Sequence, residues 1–127
     1  MIGYAQNIES LTLANSNFRQ VVFTGKFCQL VLMSLAPGEE IGLEVHPNVD
    51  QFFRVEKGQG KVVMNGEETA VADGFAIVVP AGTNHNIINT SATDSLKLYT
   101  IYSPPQHKDG VIHKTKAEAE ADTEDHL

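Results

Sequence analysis

The chain has 127 residues, 42% of them apolar and 20% charged, the balance of one globular domain rather than a disordered segment or a coiled coil. Of the 16 acids behind its formal net charge of −7, five (Glu118, Glu120, Asp122, Glu124 and Asp125) fall in the last eleven positions, leaving 11 acids against 7 bases over residues 1–113, a mildly acidic body. With no basic cluster and no apolar run near the roughly 20 residues of a bilayer span, neither nucleic acid nor a membrane is an expected partner. A lone cysteine, Cys28, excludes an internal disulfide and a thiolate metal cage. The first residues, MIGYAQNIES, hold neither a basic leader nor an apolar core, so a soluble cytoplasmic protein is the expectation.

From Phe18 onward the chain breaks every six to ten residues at turn-forming clusters, among them Ala36-Pro37-Gly38, Gly58-Gln59-Gly60, Asn65-Gly66, Asp73-Gly74 and Pro80-Ala81-Gly82. The intervals are strand-length and rich in Val, Ile, Leu and Phe, at 21–23, 27–35, 52–55, 61–64, 75–79, 87–88 and 96–102. Short strands at this spacing predict an all-β sandwich or barrel, with Asn65-Gly66 as its clearest hairpin. After 102 two prolines stiffen an extended arm carrying His107 and His113, both expected to be exposed. The one predicted helix follows Thr115, in a polar tail expected to be frayed, and His126 within it is assigned no role. Cys28 is expected in the core. The expected organisation is a single barrel over residues 1–113, with its motifs within 38–89, and a polar, partly helical or disordered tail over 114–127.

Residues i and i+2 of a strand share a face, so Glu44 and His46 are expected to point together, with Val45 opposite. By the same parity Gln51, Phe53 and Val55 face inward, Phe52, Arg54 and Glu56 outward, and His85, Ile87 and Asn89 share a face. In a barrel, Glu44, His46, Gln51 and His85 could converge. Two imidazoles, a carboxylate and an amide oxygen form a donor set for one divalent transition metal, with Fe, Mn, Ni and Zn all open.

The spacing Gly38, Glu44, His46, Gln51, Gly58 resembles the first motif of the cupins, and Gly74, Pro80, Gly82, His85, Asn89 follows their second in full. Over roughly residues 30–102 the chain is similar to small single-domain cupins. The resemblance implies a double-stranded β-helix, a jelly-roll barrel, with a short C-terminal helix or frayed tail. Two ligand positions depart from the common pattern: Glu44 stands where the first His is usual, and Gln51 where the Glu is usual. A carboxylate is retained, and a 2-His-1-carboxylate set with an auxiliary amide remains.

The function expected is metal-dependent chemistry, dioxygenase-, lyase- or isomerase-like, on a small oxygenated molecule bound at the ion. The alternative is a non-catalytic binding or sensing module with a structural or ligand-holding metal. No catalytic residue beyond the ligands is assigned. A phosphate-bearing substrate is disfavoured, because the basic side chains within the motifs are Arg54, on the outer face, and Lys57, beside a turn. The uniformly apolar 75–79 strand, read as buried on both faces, together with outward Phe52, predicts a homodimer.

Overall fold

Apolar residues in alternation, closed off by glycine turns, build nine strands and two short helices in a computed structural model that describes residues 2–127. In chain order they are α1 (Ile8–Ala14), β1 (Arg19–Thr24), β2 (Gln29–Leu35), β3 (Asp50–Lys57), β4 (Gln59–Met64), β5 (Glu67–Ala72), β6 (Ala76–Val79), β7 (His85–Asn89), β8 (Leu96–Ser103), β9 (Ile112–His113) and α2 (Lys116–Ala121). A six-stranded sheet runs β6-β3-β8-β2-β1-β9 and faces a three-stranded sheet β5-β4-β7, and the pairings within them are antiparallel. This is the all-β, two-sheet jelly roll expected. Between the sheets lie Val31, Met33, Leu35, Phe53, Val55, Val62, Ile87, Leu96 and Leu98, all buried. Truncating one such Leu to Ala costs roughly 2–5 kcal/mol.

The inward parity of Gln51, Phe53 and Val55 is borne out, since β3 alternates buried and part-exposed residues along its length. The β4–β5 hairpin turns on Asn65 and Gly66, both at positive φ (50° and 83°), as the Asn-Gly pair requires. At Gly60 a side chain has no room, because a Cβ there would meet the Ile88 carbonyl oxygen at 2.5 Å. Asn89 is structural: its Nδ2 donates to the carbonyls of Leu35, Ala36 and Asp94, tying β7 to the loops beside it. Arg54 and Glu56 pair at 3.0 Å.

Several expectations are corrected. The strand at 75–79 is not buried on both faces: β6 is the sheet edge, and Phe75 and Val78 are exposed while Ile77 and Val79 face the core. Its uniform apolarity hid an ordinary alternation. Cys28 is exposed, because the chain turns at 25–28 and the strand begins only at Gln29. Helix α1, capped by Asn7 Oδ1 accepting from the Ser10 amide at 3.0 Å, was not foreseen. Strand β5 lacked a signal because five of its six residues are exposed.

The arm and tail also depart from expectation. After the prolines the chain returns, and β9 pairs with β1 so that Arg19 opposes His113. Helix α2 forms as predicted and carries a full capping box between Thr115 and Glu118. The end of the tail folds onto the arm through Lys108 N–H to the Asp125 carbonyl (2.7 Å) and Leu127 N–H to the Gln106 carbonyl (3.0 Å). No described helix is long and apolar enough to cross a membrane.

Candidate functional site

Glu44 and His46 do not lie on a strand. Residues 36–49 form a loop pinned to β7 by two isolated antiparallel bridges, Glu40 to Ile88 and Glu44 to His85. Glu44 and His85 exchange both backbone hydrogen bonds at 2.9 Å, which puts them directly opposite on one face. His46 is held in turn by the Gly82 amide, which donates to its carbonyl at 2.9 Å. The grouping expected from parity is present, although bridges rather than a strand produce it. His46 Nε2 lies 3.0 Å from Glu44 Oε2, its ring centroid is 5.5 Å from that of His85, and Val45 between them is 48% exposed.

The donor atoms have few protein partners. His85 Nδ1 is 2.9 Å from the Thr83 carbonyl oxygen, an acceptor only, so Nδ1 carries the proton and Nε2 keeps its lone pair. Gln51, buried on β3, donates from Nε2 to Thr100 Oγ1 at 3.0 Å, and its Oε1 has no partner. His46 Nε2 is likewise buried without a well-directed hydrogen bond, its approach to Glu44 notwithstanding. Native proteins rarely leave buried polar atoms unmatched. An imidazole nitrogen without a directed hydrogen bond, an unpartnered amide oxygen, a second imidazole with a free lone pair and a carboxylate are the donor types a divalent first-row ion takes, so by the chemistry of the donor set these residues suit one. Burial pushes the Glu44 carboxyl up, but contact with His46 and the charges of His46, Arg19 and His85 together bring it below the usual carboxylate range.

A second cluster lies beside the first. Tyr102, the β8 residue opposite Gln51, packs edge-on against His46 at 6.0 Å between centroids. Its hydroxyl is 3.1 Å from His107 Nε2, and His107 Nδ1 is 2.5 Å from Asp125 Oδ2. Burial raises the Tyr102 hydroxyl well above its ordinary range. His107 and His113, expected at the surface, are buried, because the returning arm and the tail close over them. His113 sits between Arg19 (Nδ1 to Nη1, 3.5 Å) and Asp122 (Nε2 to Oδ2, 3.0 Å). Among the described residues, His107, Asp125 and His126 form the trio of His, Cys, Asp or Glu whose ligating atoms lie within 4.8 Å of one another. The Glu44, His46 and His85 group is looser than this. Both ring nitrogens of His107 are already engaged, however, so close approach there reflects internal bonding.

Two site residues escaped the sequence reading. Arg19 is buried on the inner face of β1 and lines an open cleft of about 530 Å³ with Phe18, Ile41, Glu44, Asp122 and His126. Its parity with inward Val21 was the available signal. His126, read as a tail residue without a role, reaches the same cleft because the tail folds back.

Comparison with known proteins agrees with this architecture. The cupin domain model matches residues 31–102. The uncharacterized protein YrkC of Bacillus subtilis (strain 168) is 52% identical over 124 residues, covering 93% of this chain and 66% of that protein. An uncharacterized protein of Acanthamoeba polyphaga mimivirus is 48% identical over 113 residues, covering 86% of this chain and 70% of its own. The chain thus spans about two thirds of these relatives' lengths. A crystal structure of BH2720 from Bacillus halodurans superposes with a TM-score of 0.91 at 48% identity, covering 94% of each chain. The two motifs, the two-sheet barrel and these matches together establish that the chain belongs to the cupin family.

Proposed function

We propose that this cupin is a metal-dependent enzyme that binds one divalent transition metal through Glu44, His46, His85 and Gln51 and acts on a small oxygenated molecule in the adjoining cleft. The observation that carries the reading is a buried amide oxygen without a partner, Gln51 Oε1, together with His46 Nε2, which meets Glu44 at 3.0 Å without a directed hydrogen bond, and the free Nε2 of His85. Bound there, the metal supplies Lewis-acid polarisation of a substrate oxygen. The chain's own part is to fix the donors: Thr83 sets the His85 tautomer, Thr100 orients the Gln51 amide, and the Glu44–His85 bridge holds carboxylate and imidazole on one face. Tyr102 closes the inner wall beside His46. A dioxygenase-, lyase- or isomerase-like reaction suits this layout.

One observation favours a binding or sensing role as the second reading. The side chains that could have served as a free general base, His107 and His113, are both buried and engaged by Asp125, Tyr102, Asp122 and Arg19. We also propose that the protein is cytoplasmic and pairs as a homodimer, since Val78 on the outer face of edge strand β6 and Phe75 just before that strand lie exposed.

Metal analysis of freshly purified protein, followed by O2-uptake and product assays on diols, keto acids and phenolics, tests the first reading. About one divalent ion per chain and turnover of one substrate class are expected. Metal with saturable binding and no turnover would transfer the conclusion to the second reading, and protein that retains no divalent ion would overturn both. Light scattering at micromolar concentration tests the dimer, which a mass of 13.8 kDa throughout would exclude.

A further inference from the structure

The Arg19 guanidinium is buried with no carboxylate in contact, although its charge is felt by Glu44 across the cleft. The side chain is 6% exposed, its Nε has no hydrogen-bond partner, Nη1 makes the 3.5 Å contact to His113, and the Phe18 ring lies 5.4 Å from the guanidinium carbon. Among the described residues no Asp or Glu oxygen lies within 4.0 Å of it, although five other cation–carboxylate or imidazole–carboxylate pairs and the Lys116–Glu120 pair do form. Buried charges are normally paired, because removing an ion from water without compensation costs several kcal/mol. A folded chain that keeps such a group leaves room for an anion from outside. The room is present: Arg19 lines the cleft that also contains Glu44.

We propose that Arg19 is the anion-binding residue of this cleft and that its ligand is a small monocarboxylic acid. The unmatched Nε and its neighbouring Nη form one edge of the guanidinium fork, the edge that receives a carboxylate through two parallel hydrogen bonds. One guanidinium balances one negative charge. Glu44, Glu120 and Asp122 line the same cleft, and the one other cation there, Lys116, is within 3.8 Å of Glu120. A phosphate dianion would meet those carboxylates with only Arg19 to offset it, whereas a monoanion is repelled less and leaves the Arg19 contact to decide. The inference narrows the substrate class of the function proposed above and rests on that reading of the cleft. The contact itself is made by the protein, so it can be tested with and without metal.

The Arg19 Nε–Hε NMR signal, assigned by its loss in Arg19→Lys, is followed in EDTA-treated and in Zn2+-supplemented protein during titration with lactate, lactamide and inorganic phosphate. Lactate is expected to shift the signal to saturation in at least one of the two states, and lactamide to leave it in place. Calorimetry on Arg19→Gln should show lactate affinity reduced by about tenfold or more, as the loss of charged hydrogen bonds predicts. Equal effects of lactate and lactamide, tighter binding of phosphate than of lactate, or unchanged lactate affinity in Arg19→Gln would overturn the proposal. Absence of any response to millimolar lactate, pyruvate, acetate and benzoate in both states would do the same. If the variants fail to fold, the wild-type titration still decides. Uptake of Zn2+ is read separately by elemental analysis: Arg19-dependent lactate binding without uptake would sink the metal reading alone, and uptake without Arg19-dependent binding would sink this inference alone.

Discussion

Two histidine clusters stand side by side in this barrel, and they differ in whether their polar atoms are satisfied. In the Tyr102–His107–Asp125 cluster each ring nitrogen of His107 has a partner, at 3.1 Å and 2.5 Å. In the Glu44–His46–Gln51–His85 cluster Gln51 Oε1 has none and His46 Nε2 has only the poorly directed 3.0 Å approach to Glu44, and nearby Arg19 Nε adds another unpartnered atom. The first cluster is the tighter by donor distance, yet its bonds are already made within the chain. Proximity of His and Asp side chains is therefore a poor guide to a ligand site. Poorly partnered buried donors and acceptors gathered in one place are a better one, although single atoms of this kind also occur elsewhere, at Tyr4 and Thr12.

The sharpest way to break this contrast is to remove one imidazole from each cluster and measure metal content. His46→Ala or His85→Ala should weaken divalent-metal binding by about 100-fold or more, while His107→Ala leaves it nearly unchanged. Gln51→Ala should retain a measurable fraction, since a neutral amide donates less than an imidazole. Equal retention in the His46, His85 and Gln51 variants, by elemental analysis after dialysis, would contradict their assigned roles. Loss of metal in His107→Ala alone would move the site to the tail.

Stability should sort the clusters in the opposite sense. His107→Ala strands Asp125 and the Tyr102 hydroxyl in the interior and should cost about 2 kcal/mol in urea unfolding. His46→Ala, whose Nε2 lacks a directed hydrogen bond, should cost less in metal-free protein. A larger loss at His46 would mean that the two clusters are equally structural.

The smallest expected effect is on pH dependence. Burial first, and the Arg19 charge second, hold His107 below its ordinary 6.5, against the pull of Asp125. A histidine with a depressed folded pKa binds fewer protons than the unfolded chain at mildly acid pH. Its contribution is therefore fully present above about pH 6.5 and is lost as the pH falls toward the folded value. Unfolding free energy should decline on acidification below 6.5, and His107→Gln should flatten that decline. A profile as steep in the variant as in the wild type would assign the acid sensitivity to other groups.

Much of the fold was legible because its signals are local. Turn glycines, the Asn65-Gly66 hairpin and the period-two burial of β3 depend on neighbours a few residues apart. Where local pattern was uniform or polar, the reading failed. Apolar β6 concealed an exposed edge, exposed β5 carried no alternation, and α1 is only seven residues long. The site was half legible for the same reason. Glu44, His46 and His85 sit in two short motifs and do meet, but through backbone bridges to β7 that no parity count predicts.

By itself the sequence determined that this is an all-β cupin barrel and which two motifs carry donor side chains, since strand period, turn chemistry and motif spacing are properties of contiguous residues. Tertiary structure alone decided that β9 returns to β1, that the tail closes over His107 and His113, and that Arg19 is buried beside Glu44 without a carboxylate partner. The first of these joins positions 94 residues apart, Arg19 opposite His113, and only the packing of the whole chain determines which groups share an interior and which are left without a partner.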